Sequence, residues 1–128
     1  MRLKIPSLCL LPIILMACGP DKIVLDLPSP QKSFHVEVRK CPQAGAPLEW
    51  TEKTQVSVLE TGKSEPCHSF VNALVQFDSQ AADEQLELEW MSDTVLRAWH
   101  PAFNPAYGPN SQATRPNSPV RIVFSPKS

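Results

Sequence analysis

The chain has 128 residues, 12 basic and 13 acidic side chains and a formal net charge of −1. That length bounds it to one domain with one modest core, and its charge balance excludes the basic face that nucleic-acid binding requires. Its 14 prolines are about twice average usage and are unevenly placed, with neither proline nor glycine between Cys67 and His100.

Residues 1–17 read as a signal peptide. Arg2 and Lys4 form a basic start, and Ile5 to Ala17 is an uncharged apolar run. A membrane-spanning helix needs about 20 apolar residues, and Pro6 and Pro12 interrupt this shorter run. The run ends in Leu15-Met16-Ala17-Cys18, which resembles the lipobox of bacterial lipoproteins. The resemblance covers the signal segment alone. It implies cleavage before Cys18, diacylglycerol on the Cys18 sulfur and acylation of the new amine. An ordinary signal peptide would place small residues at both the first and third positions before the cut, and Leu15 fills the third. Gly19 follows where inner-membrane lipoproteins commonly carry Asp. The expected address is therefore the outer membrane of a Gram-negative cell, lipid-anchored and facing the periplasm. Multiple acyl chains make such anchoring stable.

Removing residues 1–17 leaves 111 residues, and removing Arg2 and Lys4 from the 12 basic residues leaves ten against 13 acidic. Cys9 departs with the signal and Cys18 carries lipid. The remaining pair, Cys41 and Cys67, is expected to form a disulfide in an oxidising compartment. A metal site built on Cys67 and His68 is the alternative, but adjacent side chains of an extended chain point apart.

The mature chain divides into a lipidated tether (18–32), one β-domain (33–125) and a short tail (126–128). In the tether, Pro20, Pro28 and Pro30 favour extended backbone, and Ile23, Val24, Leu25 and Leu27 offer the alternative of a short edge strand. Phe34, Val36 and Val38 alternate with His35, Glu37 and Arg39, the period of a half-buried strand. Ser29-Pro30-Gln31-Lys32-Ser33-Phe34 before it resembles the Ser-Pro-Asp-Gly-Lys-Tyr lead-in of bacterial envelope β-domains, with different turn residues. Residues 40–53 form a loop in which Trp50 is expected to pack back on the core. A second strand is expected over 54–60, followed by a turn at 61–64. Residues 68–78 fit a strand better than a helix, because β-branched and aromatic residues are common and no N-cap precedes them.

A polar connection spans 79–84. Leu86, Leu88 and Trp90 then face inward while Glu87 and Glu89 face water, and Ser92-Asp93 turns the chain into a return strand over 94–99. Leu86 to Leu96 resembles a strand–turn–strand of small bacterial lipoproteins, which implies fold and not activity. A long proline-rich loop covers 100–119, and a last strand 120–124. The expected fold is mainly β: about five antiparallel strands in a twisted sheet or small open barrel, cross-linked between the ends of its first and third strands.

Chemistry-bearing patterns are few. From Ser64 to Leu96 there is no Lys or Arg, yet seven acidic residues. No ordered calcium loop accompanies them, so they read as a solvated strand face. His35, His68 and His100 are dispersed and read as surface or hydrogen-bonded histidines, with no metal site. No nucleophile elbow, zinc-protease motif, phosphate loop or Cys-x-x-Cys occurs, and no cofactor is expected. The segment Pro101-Ala102-Phe103-Asn104-Pro105-Ala106-Tyr107 repeats Pro-Ala-aromatic. It reads first as a strap over an open end of the core and second as a ligand surface of Trp99, His100, Phe103 and Tyr107.

The expected function is a lipid-anchored, non-catalytic accessory or binding module with an envelope protein or glycan partner. A protein inhibitor of an envelope-targeting hydrolase is the alternative, by analogy of size, anchor and disulfide with small lipoproteins that inhibit lysozyme. A small hydrolase or metal-dependent enzyme, with residues converging only in three dimensions, is the third reading. An enzyme would show a concave polar pocket, a binding module an exposed aromatic patch around 99–107, and an inhibitor a rigid protruding loop.

Overall fold

In the computed structural model, residues 22–41, 53–79 and 85–127 are described. They form eight strands: β1 (Lys22–Pro28), β2 (Phe34–Cys41), β3 (Lys53–Glu60), β4 (Val75–Ser79), β5 (Glu87–Trp90), β6 (Val95–Trp99), β7 (Gln112–Thr114) and β8 (Arg121–Phe124). No helix occurs among the described residues. One sheet has the order β1-β2-β3-β4-β7, antiparallel throughout, and a second has the order β5-β6-β8. The mainly β expectation holds, with two open sheets in place of one sheet or barrel.

Alternation decides which side chains meet. In the β2–β3 register Val36 lies opposite Val58 and Val38 opposite Val56. In β3–β4, Val56 lies opposite Phe77 and Val58 opposite Val75. These six side chains form one apolar face, and all are buried. Leu96 and Ala98 of β6, with Phe103 and Val120, join the same core, and Leu86, Leu88, Trp90, Ile122 and Phe124 pack around it. The two sheets therefore share one core, as paired sheets do when each has one apolar face.

Five expectations are corrected. Residues 22–28 are not tether but the edge strand that the sequence offered as the alternative, because Leu25 and Leu27 find ladder partners in Val38 and Val36. Regular strand begins at Val75, not at 68, because residues 61–74 cross the outer face of the first sheet. The segment 100–119 is not one loop: β7 lies within it and pairs with β4. Not every pair is antiparallel: β8 runs parallel to β6, since the chain visits the first sheet at β7 before returning. Finally, Cys67 lies in the segment between β3 and β4 and not at a strand end; it is bonded to Cys41, with their Cα atoms 5.6 Å apart. The strands expected over 33–39, 54–60, 85–91 and 94–99 are present with shifted ends. Trp50 and most of the 79–84 connection lie outside the described residues.

The two sheets are also tied at one edge. Asp93, in the β5–β6 turn, accepts hydrogen bonds from Ser29 Oγ at 2.6 Å and the Gln31 backbone N–H at 2.8 Å. Hydrogen bonds from Ser29, Ser33 and Gln31 hold the Asp93 carboxyl below its ordinary pKa. Trp90 Nε1–H donates to the Leu27 carbonyl at 3.0 Å.

Candidate functional site

Among the described residues, three places concentrate polar or aromatic side chains: the segment over the outer face of the first sheet, the outer face of β1–β2, and the loop after β6.

The first is built by alternation on the other side of the apolar strands. Gln55, Ser57 and Gln76 point outward, where a solvated face would be expected. Instead they hold the backbone of the crossing segment. Gln55 donates to the Pro66 carbonyl and accepts from the His68 N–H. Gln76 donates to Ser57 Oγ and to the Ser69 carbonyl. β3 is thereby buried on both faces. Glu65, fully buried, organises the rest of the segment. Its carboxylate accepts from Ser69 Oγ and from the backbone N–H groups of Val71, Asn72 and Ala73. Burial pushes its pKa up, but these four donors together outweigh burial and hold it below the ordinary value. Arg115 closes the far end, donating to the carbonyls of Phe70, Val71 and Ala73 with its guanidinium 4.9 Å from the Phe70 ring centroid. Every one of these contacts is spent on the chain itself.

The second place lies beside it. His35 and Glu37 are two apart on β2, so they share the outer face. Asp26 of β1 stands opposite Glu37 in the ladder. His35 Nδ1 is 2.8 Å from Asp26 Oδ1 and Nε2 is 2.7 Å from the Lys63 carbonyl oxygen. A carbonyl only accepts, so Nε2 carries hydrogen. Burial opposes charge on the ring, but the Asp26 and Lys63 hydrogen bonds, with the charges of Asp26 and Glu37, raise the His35 pKa above its ordinary value. Glu37 accepts from Ser64 Oγ and the Glu65 N–H, with Arg39 at 3.6 Å. The group is not legible along the chain, because residue 26 falls in a proline-spaced stretch that reads as tether. His-x-Glu on one strand face was visible along the chain, but the Asp that completes the group is placed opposite it only by the β1–β2 register.

The third place holds the aromatic residues singled out from sequence, and the structure separates them. Phe103 is buried and makes edge-on contacts with Phe77, Trp99 and Phe124, at centroid distances of 5.8–5.9 Å. His100 is buried against it, and its Nδ1 accepts from the Ala102 N–H. Trp99 is half-buried. Of the four only Tyr107 is exposed, at 54%. Phe103 is thus the strap's anchor and Tyr107 its outward face. Between them the backbone is closed by paired hydrogen bonds between Asn104 and Gly108, by Asn104 Oδ1 accepting from the Ala106 N–H, and by Gln112 donating to the Tyr107 and Pro109 carbonyls. Tyr107 hydroxyl donates to Asn110 Oδ1.

The acidic stretch is also partly committed. Arg97, buried on β6, bonds Glu87 at 2.8 Å and Glu89 at 3.0 Å, which raises its pKa against the cost of burial. A cleft of about 370 Å³ lies between β7 and β8, lined by Thr114, Arg115, Arg121 and Phe124 among others. That is near the small end of ligand-pocket volumes.

Comparison of the chain with protein-family models, with curated proteins and with solved structures gave no match.

Proposed function

We propose that the protein is a lipid-anchored binding module of the cell envelope, held in the outer membrane through Cys18 and facing the periplasm, which recognises an envelope protein or glycan without catalysis. The observation that carries this reading is the 101–110 loop. It is pinned from inside by Phe103, closed on itself by backbone hydrogen bonds, and presents Tyr107 to solvent. A tyrosine on pre-ordered backbone offers a large amphipathic contact at low entropic cost. The Leu15–Cys18 motif supports the anchor, and the Cys41–Cys67 bond suits an oxidising compartment.

Two measurements test this reading. The intact mass of the protein from native membranes, with and without reductant, is expected to correspond to a chain beginning at acylated Cys18 that gains two hydrogens on reduction. A mass without acyl groups would remove the anchor. Site-specific crosslinking in the envelope and cosedimentation with peptidoglycan are expected to be lost in Tyr107→Ala while the melting temperature is unchanged. Partner capture identical to wild type would exclude the loop.

The same rigid loop favours a second reading, an inhibitor that inserts Tyr107 into the cleft of an envelope-targeting hydrolase. Loss of lysozyme activity on adding the protein, relieved by Tyr107→Ala, would select it. A hydrolase that uses a metal-free histidine as its base finds less support at His35, where both ring nitrogens are engaged, by Asp26 and by the Lys63 carbonyl.

A further inference from the structure

We propose that Asp26, His35 and Glu37 form a binding site for a borderline divalent transition-metal cation of the zinc type, which clamps edge strand β1 to β2. One ligand atom from each of the three residues lies within 4.8 Å of the others. Zinc–ligand bonds of about 2.0–2.2 Å put tetrahedral ligands about 3.4 Å apart, a spacing that lies between the 2.8 Å separating His35 Nδ1 from Asp26 Oδ1 and the 4.8 Å span of the group. The backbone is already fixed by the ladder that sets Asp26 against Glu37 and Pro28 against His35.

The surroundings are those a metal site requires. A metal-bound histidine usually donates its second ring N–H to a carbonyl or carboxylate. His35 Nε2 does so to the Lys63 carbonyl, which aims Nδ1 at Asp26. Glu37 is oriented by Ser64 Oγ and the Glu65 N–H. The Arg39 guanidinium pairs with Glu37 at 3.6 Å and donates a hydrogen bond to Ser64 Oγ. The Asp26 side chain is 51% exposed, which gives a route from solvent and room for water as a fourth ligand. One imidazole nitrogen with two carboxylates suits zinc better than calcium, which takes six to eight oxygens.

The test is calorimetric titration of the chelator-treated full chain, purified from membranes in detergent, with zinc chloride and separately with calcium chloride at neutral pH. The expected result is one equivalent of zinc bound through this group, with affinity falling about tenfold or more in both His35→Gln and Asp26→Asn. Zinc is also expected to raise the melting temperature of the wild type and not that of the variants. Asp26 lies on an exposed edge, so Asp26→Asn should keep the wild-type far-ultraviolet spectrum. Absence of zinc binding, binding unchanged in both variants, or preference for calcium would each overturn the proposal. Zinc held elsewhere, at His68 or His100, would survive both substitutions and count against it.

Discussion

Glu65 shows how one side chain can hold a segment that has no regular structure of its own. Residues 61–74 make few ladder hydrogen bonds, so their N–H groups need other partners. A carboxylate offers about four acceptor sites, and Glu65 fills them from four donors between Ser69 and Ala73. Glu65→Gln replaces one acceptor with a donor that faces other donors. We expect a loss of about 3 kcal/mol by urea denaturation at neutral pH. The pH dependence follows from the lowered pKa. The unfolded carboxyl titrates near its ordinary value of 4.5, the folded one below it. The contribution is therefore fully present above that value and is lost as pH falls through the folded pKa. Denaturation midpoints measured from pH 7 downward should converge for wild type and Glu65→Gln in acid; a constant gap would show that Glu65 acts through packing instead.

At the scale of the element, the 101–110 loop divides its labour between an inner and an outer aromatic residue. Gly108 makes the division geometrically feasible. It has φ +86°, and a Cβ there would stand 2.6 Å from Phe124 Cγ. Both features disfavour any side chain at 108, the first by backbone sterics and the second by overpacking against the core. Gly108→Ala is expected to cost about 2 kcal/mol or more, read as a drop in melting temperature. It should also loosen Asn104–Gly108 pairing, read as faster amide exchange at these two residues. Gly62 has φ +91° but open space around it, so Gly62→Ala carries the backbone penalty alone. The comparison of the two variants separates strain from clash.

At the scale of the molecule, the disulfide and the crossing segment act together. Cys41 ends β2 and Cys67 lies mid-segment, 26 residues on. The bond therefore closes a loop that contains all of β3 and fastens the segment over the polar face of the sheet. In the chain-entropy model a loop of this length contributes roughly 3–4 kcal/mol, a large share of the 5–15 kcal/mol typical of a domain. The Cys41→Ser/Cys67→Ser pair is expected to unfold at a correspondingly lower denaturant concentration. Its first loss should be amide protection over 64–73, ahead of β2 and β3. Uniform loss across the chain would mean the bond acts only on the unfolded state.

The strands whose period is clean were legible in the chain. Phe34–Val38 and Leu86–Trp90 alternate strictly, because each has one apolar and one polar face and local spacing carries that information. The Cys41–Cys67 pair was legible only through the lipobox resemblance, which sets Cys9 and Cys18 aside. Three things were decided by tertiary structure alone. β1 is a strand because β2 offers it a backbone ladder and the core accepts Leu27, a choice between tether and edge strand that the local sequence left open. The polar face of β3 is covered because Gln55 and Gln76 serve the backbone of a distant segment, so polarity there signals burial and not water. Asp26, His35 and Glu37 meet because antiparallel register brings residue 26 opposite residue 37. Register is a property of two strands at once, and no window on one strand contains it.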